Sequence, residues 1–169
     1  MKKYELTSET KIVFGHILYR IKALSSFGCV SAGDLGGFLE SEKNLSQNGN
    51  AWVFGNAEVY GNAEVYGNAE VYGDARVSGD ARVSGDAEVS KIGSIFWIGA
   101  VGSRNDTATF FRCTDGVIRV TCGCFFGNLD EFAKKVRKTH GDNDHAKVYM
   151  LAIDMAKIRI STEKEKTEE

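Results

Sequence analysis

Between residues 49 and 90 the apolar and polar positions alternate, and the alternation resets every six residues. The units begin at Gly49, Gly55, Gly61, Gly67, Gly73, Gly79 and Gly85, and each has Ala at its third place and Val at its fifth. Two residues apart in extended backbone, Ala and Val point to one side. The residue between them (Glu58, Glu64, Glu70, Arg76, Arg82 or Glu88) points to the other, toward solvent. Gly followed by Asn or Asp supplies the corner, because glycine takes positive φ freely and Asn and Asp tolerate it better than most residues. Each hexapeptide is therefore predicted to be one short strand and one turn. The first unit differs, carrying Trp52 and Phe54 at places that later units give to Glu or Arg and to Tyr or Ser.

Six-residue sides with a small and an aliphatic residue inward predict a short left-handed parallel β-helix, in which three units close one triangular coil. The variable letters fit that register. Three units on, Glu58 lies over Arg76 and Glu64 over Arg82, and opposite charges on neighbouring strands attract by about 0.2–1 kcal/mol. Tyr60 lies over Ser78 and Tyr66 over Ser84, large beside small. The third side, with Trp52, Glu70 and Glu88, has no such compensation. Seven units make little more than two coils, and a stack so short needs capped ends or a partner. The outward Trp52 and Phe54 predict the interface of a homo-oligomer, a dimer or trimer.

Upstream, residues 37–48 fit the frame loosely, with Leu39 and Leu45 at the Ala place, and extend the solenoid to 37–90. Residues 1–36 are its N-terminal cap, with a strand over 16–24. Downstream the period stops. Runs rich in β-branched and aromatic residues at 94–101, 107–113 and 117–121 predict an antiparallel meander. Asn128 caps a helix with Glu131 three places on, Leu129, Phe132 and Val136 share its inner face, and Gly141 ends it. Val148, Leu151, Ala152, Met155 and Ile158 mark the inner face of a second helix. Residues 91–160 thus form a C-terminal α+β binding domain, and 161–169 a solvated, disordered tail.

Net charge is −2, too small to point to nucleic acid or a membrane. It is uneven: residues 1–48 carry +1 (six basic, five acidic), 49–90 carry −5 (two basic, seven acidic) and 91–169 carry +2 (thirteen basic, eleven acidic). No apolar run follows Lys2-Lys3, so no signal peptide and no membrane span are expected, and the expected location is the cytoplasm. The four cysteines do not form a disulfide framework. The chain has no proline and 19 glycines, so glycine makes its turns.

Tyr19-Arg20-Ile21, Ala32-Gly33-Asp34-Leu35-Gly36-Gly37, Asn44-Leu45-Ser46 and Gly49-Asn50-Ala51-Trp52-Val53 resemble the start of the YdcK-type β-solenoid family, found in bacteria, phages and prophages. The resemblance covers about residues 4–90. Gly102-Ser103-Arg104-Asn105, Gly123-Cys124-Phe125 and Leu129-Asp130-Glu131-Phe132 are similar to a domain attached to such solenoids in phage proteins. The resemblance implies a solenoid of mobile-element origin and no defined chemistry. If phage-encoded, the protein would act in the host cytoplasm.

Left-handed β-helices include hexapeptide-type acyltransferases and γ-type carbonic anhydrases, which place histidines on the coils or their loops. The coils here hold none: His16, His140 and His145 lie outside them. No catalytic residue and no cofactor is therefore expected. Cys113, Cys122 and Cys124 with His140 could be drawn as a zinc site, but small core residues account for the thiols, and no metal is expected. Two arginines break the acidic pattern of the coils, against nucleic-acid mimicry. The remaining signal is Ser103, Arg104 and Asn105 with Arg112 and Arg119, donors suited to phosphate or carboxylate. The expected function is non-enzymatic: an anti-defence or other host-interaction factor whose C-terminal domain binds a host protein or anionic small ligand while the repeats assemble the oligomer. Sequestration of a nucleotide signal is the alternative.

Overall fold

The computed structural model describes residues 2–160; the tail expected at 161–169 lies outside the described residues. Contacts divide the chain into two units, Met1–Ile92 and Gly93–Glu169.

The first unit opens with a hairpin of β1 (Tyr4–Val13) and β2 (His16–Ala23), followed by β3 (Leu35–Leu39), which pairs antiparallel to β2. The repeats then give seven two-residue strands: β4 (Trp52–Val53), β5 (Glu58–Val59), β6 (Glu64–Val65), β7 (Glu70–Val71), β8 (Arg76–Val77), β9 (Arg82–Val83) and β10 (Glu88–Val89). All seven Ala and all seven Val side chains of the repeats are buried, as the alternation predicts. Every unit's Gly takes positive φ. At Gly49 (φ +74°) an added Cβ would stand 2.7 Å from the Gly67 carbonyl oxygen, so this corner excludes any side chain.

Pairing runs from each unit to the third one on. Glu58 pairs with Arg76, Glu64 with Arg82, and Trp52 with Glu70 and onward to Glu88. Side-chain amides repeat the step at the corners, Asn62 donating to Asp80 at 3.0 Å and Asn68 to Asp86 at 3.3 Å. Leu39 and Leu45 pair with Val59 and Val65, which puts them at the Val place rather than the Ala place.

The expectation of one left-handed parallel β-helix is corrected. The chain is mainly β, but its strands fall into separate small sheets: a mixed one ordered β1-β2-β3-β5-β8, a parallel β10-β7-β4 and a parallel β6-β9. Each hexapeptide offers only two ladder residues before its glycine corner turns the chain, so neighbouring units enter different small sheets instead of joining in one. The β1–β2 hairpin adds antiparallel strands to one of them.

The same N-terminal segment overturns the expected role of Trp52. Its indole is 1% exposed, edge-on to Tyr4 at 6.1 Å and to Phe27 at 5.4 Å. The side chain does leave the repeat's interior, but residues 4 and 27 cover it. Phe54 is half-buried.

The second unit is a four-stranded antiparallel meander, β11 (Ile95–Val101), β12 (Asp106–Arg112), β13 (Ile118–Cys122) and β14 (Phe125–Asn128), followed by α1 (Leu129–His140) and α2 (Asp144–Arg159). Asn128 and Glu131 form the expected capping box, and Gly141 closes α1 at φ +60°. Phe110, Val120 and Cys122 of the sheet share a core with Phe132 and Val136 of α1 and Tyr149, Ala152, Ile153 and Ala156 of α2. The inner face of α2 is thus not the predicted one. Of the five residues expected there only Ala152 is buried, while Val148, Leu151, Met155 and Ile158 are exposed. Small residues win the inner face because they let the helix lie close to the sheet.

Candidate functional site

The site is built where two turns of the second unit meet. In the β11–β12 turn Gly102 has φ +71°, and an added Cβ would overlap the Tyr149 hydroxyl. Asn105 takes φ +51° and its N–H donates to the Gly102 carbonyl at 3.3 Å, which leaves Ser103 and Arg104 exposed on the crest. In the β13–β14 turn Gly123 has φ +58°, and its α-carbon lies against the Arg104 guanidinium and the Asp106 carboxylate. The missing side chain at Gly123 thus leaves the space that the Arg104 guanidinium occupies.

Beneath Arg104 is a hollow of about 120 Å³. Its polar lining comes from Arg104, Cys122, Cys124, Lys135, Thr139 and His140; Phe125, Phe132, Val136 and Tyr149 complete it. Lys135 and Thr139 are one helical turn apart on α1 and so fall on the same side of it. Tyr149 is held edge-on by Phe132 at 5.4 Å and stacked by His140 at 5.8 Å. The Tyr149 hydroxyl lies 3.6 Å from Cys122 Sγ. Burial pushes both groups up from their ordinary pKa, the Cys122 thiol and the Tyr149 phenol alike. Both are therefore neutral at physiological pH. The lining's charge comes from Arg104 and Lys135, with the Asp106 carboxylate outside it beside Gly123.

The five residues singled out in sequence do not form one cluster. Ser103, Arg104 and Asn105 share a turn, but Arg112 ends β12 at the far end of the sheet, about 20 Å along the strand from Asp106 at 3.3 Å per residue. Arg112 is buried. Arg119 is committed to Asp115, donating from Nη1 at 2.9 Å and from Nη2 at 2.7 Å. That fork holds the Asp115 carboxyl down at about 2. Of the imagined zinc set, Cys122, Cys124 and His140 do line the hollow, but Cys113 stands apart: Cys122 pairs with Ala108, five residues before Cys113 on the neighbouring strand. All four cysteines are free thiols.

Sequence reading missed Lys135, Thr139 and Tyr149. The signal for the first two was their spacing of four on α1. Tyr149 stood out as the one aromatic on a helix face otherwise made of Ala and Ile.

A larger depression, about 400 Å³, lies by the β12–β13 turn and the start of α1, lined by Val117, Ile118, Leu129, Asp130 and Lys157 among others. Its charged lining is one lysine and one aspartate, and that lysine pairs with Asp154 at 3.8 Å. Among the described residues, no helix is long and apolar enough to cross a membrane. No protein-family model matches the chain, and no curated protein matches it.

Proposed function

We propose that the chain is a binding protein, not an enzyme, and that its C-terminal unit receives an anionic group in the hollow under Arg104. The observation that carries this reading is the pairing of Arg104 with Lys135 around a lining whose described residues include no carboxylate. Asp106, at the rim, offsets one of the two charges and leaves the other for a ligand. A guanidinium poised over a partly apolar floor suits a carboxylate or phosphate, through charge-assisted hydrogen bonds. Burial pushes the Cys122 thiol up, which makes that sulfur a poor nucleophile.

The size of the hollow favours one of the two candidate occupants. Sites for whole small molecules run to about 300–1,000 Å³, so about 120 Å³ suits a single acidic side chain or anionic group better than a nucleotide. The partner proposed is therefore a protein that presents such a group, and the nucleotide sponge takes second place. The resemblance of residues 4–90 to a family carried by phages supports the wider reading of a host-interaction or anti-defence factor working in the host cytoplasm as a homo-oligomer.

Titration of the labelled protein with acetate and with inorganic phosphate, followed by amide NMR, tests the site. Saturable shifts at Arg104, Gly123 and Cys124 that vanish in Arg104→Ala are expected. Shifts elsewhere, or shifts that survive Arg104→Ala, would reject the hollow as the binding site.

A further inference from the structure

Helix α2 is apolar on two sides. One side buries Tyr149, Ile153 and Ala156 in its own unit. On the other, Val148, Leu151, Met155 and Ile158 are 39%, 63%, 50% and 88% exposed. Their spacing is three, four and three, so they form one stripe along the helix, the a and d positions of a two-stranded coiled coil. Such a stripe on an exposed helix is a seam awaiting another helix.

We propose that this stripe is the homodimer seam, on which a second copy of the chain lays its own α2 in parallel and in register. Charge complementarity selects that orientation. With Val148 and Met155 at a, Asp154 falls at g and Arg159 at the e position five residues on; both are exposed. The pair that Asp154 makes with Lys157 on its own helix is long, at 3.8 Å, and open to water, so it leaves Asp154 able to meet a second cation. A parallel pair sets Asp154 of each copy beside Arg159 of the other, the g-to-e′ match that specifies parallel register. An antiparallel pair layered through all four stripe residues would instead bring the two Asp154 carboxylates together. Val148 at a and Leu151 at d are residues that two-stranded pairs favour. The helix needs no further ordering on association, because its inner side already packs on the sheet, which lowers the cost of binding. The seam deepens the oligomer reading above, replaces the covered Trp52 as its surface, and is independent of the Arg104 hollow.

Sedimentation of the full chain at micromolar concentration tests it. A dimer is expected. Leu151→Glu and Ile158→Glu should weaken it by at least tenfold while leaving circular dichroism unchanged, since both side chains are exposed. Asp154→Arg should weaken it, and Asp154→Arg with Arg159→Asp should restore it. With Cys29 and Cys124 changed to Ser, Leu151→Cys should oxidise to a covalent dimer, because parallel register sets the introduced thiols of the two copies side by side. A monomer, a trimer, a dimer indifferent to Leu151→Glu, or failure of the cysteine variant to cross-link would each overturn the proposal.

Discussion

Arg76 Nε donates to Glu58 Oε2 at 2.8 Å across one three-unit step of the repeat. The other Glu58 oxygen lies 2.8 Å from Lys11 Nζ, so one carboxylate serves two cations, and the residue is only 8% exposed. The neighbouring pair, Glu64 and Arg82, is longer at 3.9 Å and open to water on both sides.

These two pairs should differ in stability. Glu58→Arg sets three cations together in a largely covered place and should cost about 2–3 kcal/mol, below the range for fully buried pairs because Arg76 is partly solvated. Adding Arg76→Glu should recover about 1 kcal/mol but not the whole, since Lys11 still faces an arginine. Glu64→Arg should cost under about 0.5 kcal/mol. Urea midpoints of the variants check this, and equal losses at the two sites would contradict it.

The register behind this pair was legible because charge sign and side-chain size alternate between units, and only a three-unit step makes Glu58 meet Arg76. The sheet layout was not. Nothing in Gly-Asn-Ala-Glu-Val-Tyr tells whether successive ladders fuse, and β1 lacks the turn-bounded apolar run by which β2 was read. Trp52 was placed on the correct side of the strand, but its cover comes from Tyr4 and Phe27, distant in sequence. In α2 the periodicity holds two apolar faces that share Ala152; the bulkier residues mark the outer one, while Ala146 and Ala156 pack closer. At the site, Arg104 was found from its turn; that Arg119 belongs to Asp115 needed the hairpin geometry.

Two corners of the repeat separate backbone strain from crowding. Gly55 has φ +57° and nothing within 4 Å of an added Cβ, so Gly55→Ala should cost only the left-handed penalty, about 1–2 kcal/mol. Gly49 adds a contact at 2.7 Å with the Gly67 carbonyl, which must move for Gly49→Ala to fold. Its loss should exceed that of Gly55→Ala by at least about 1 kcal/mol. Chemical denaturation of the two alanine variants decides; similar costs would mean that the stack yields easily.

The Asp115–Arg119 fork predicts a pH dependence with a definite sign. An aspartate in the unfolded chain titrates near 3.9, whereas in the folded chain this one sits at about 2 because Arg119, and then the Val117 amide, hydrogen-bond its charged form. The fork's contribution is present above about pH 4 and is lost as pH falls toward 2. Asp115→Asn should therefore melt below the parent protein at pH 7, and the gap should close in strong acid. A gap that stays constant down to about pH 2 would show that the substitution acts through the turn backbone instead.

Tyr149 joins the hollow to the core, and its hydroxyl can be removed without its ring. Tyr149→Phe keeps the contacts with Phe132 and His140 but deletes the group that faces Cys122 and Gly102. A neutral hydrogen bond with a thiol is weak, so the loss of stability should be about 1 kcal/mol or less. Cys122 would lose a partner that steadies its charged form, so its thiol should titrate higher still and react more slowly with a thiol reagent at fixed pH. Anion binding should survive, because Arg104 and Lys135 supply the charge. Arg104→Ala should do the reverse, leaving the melting temperature nearly unchanged while costing about 1.5–3 kcal/mol of binding to the anion. Thermal melts paired with the acetate and phosphate titrations separate the two roles. If Tyr149→Phe abolishes binding and Arg104→Ala does not, the phenol rather than the guanidinium is the recognition group.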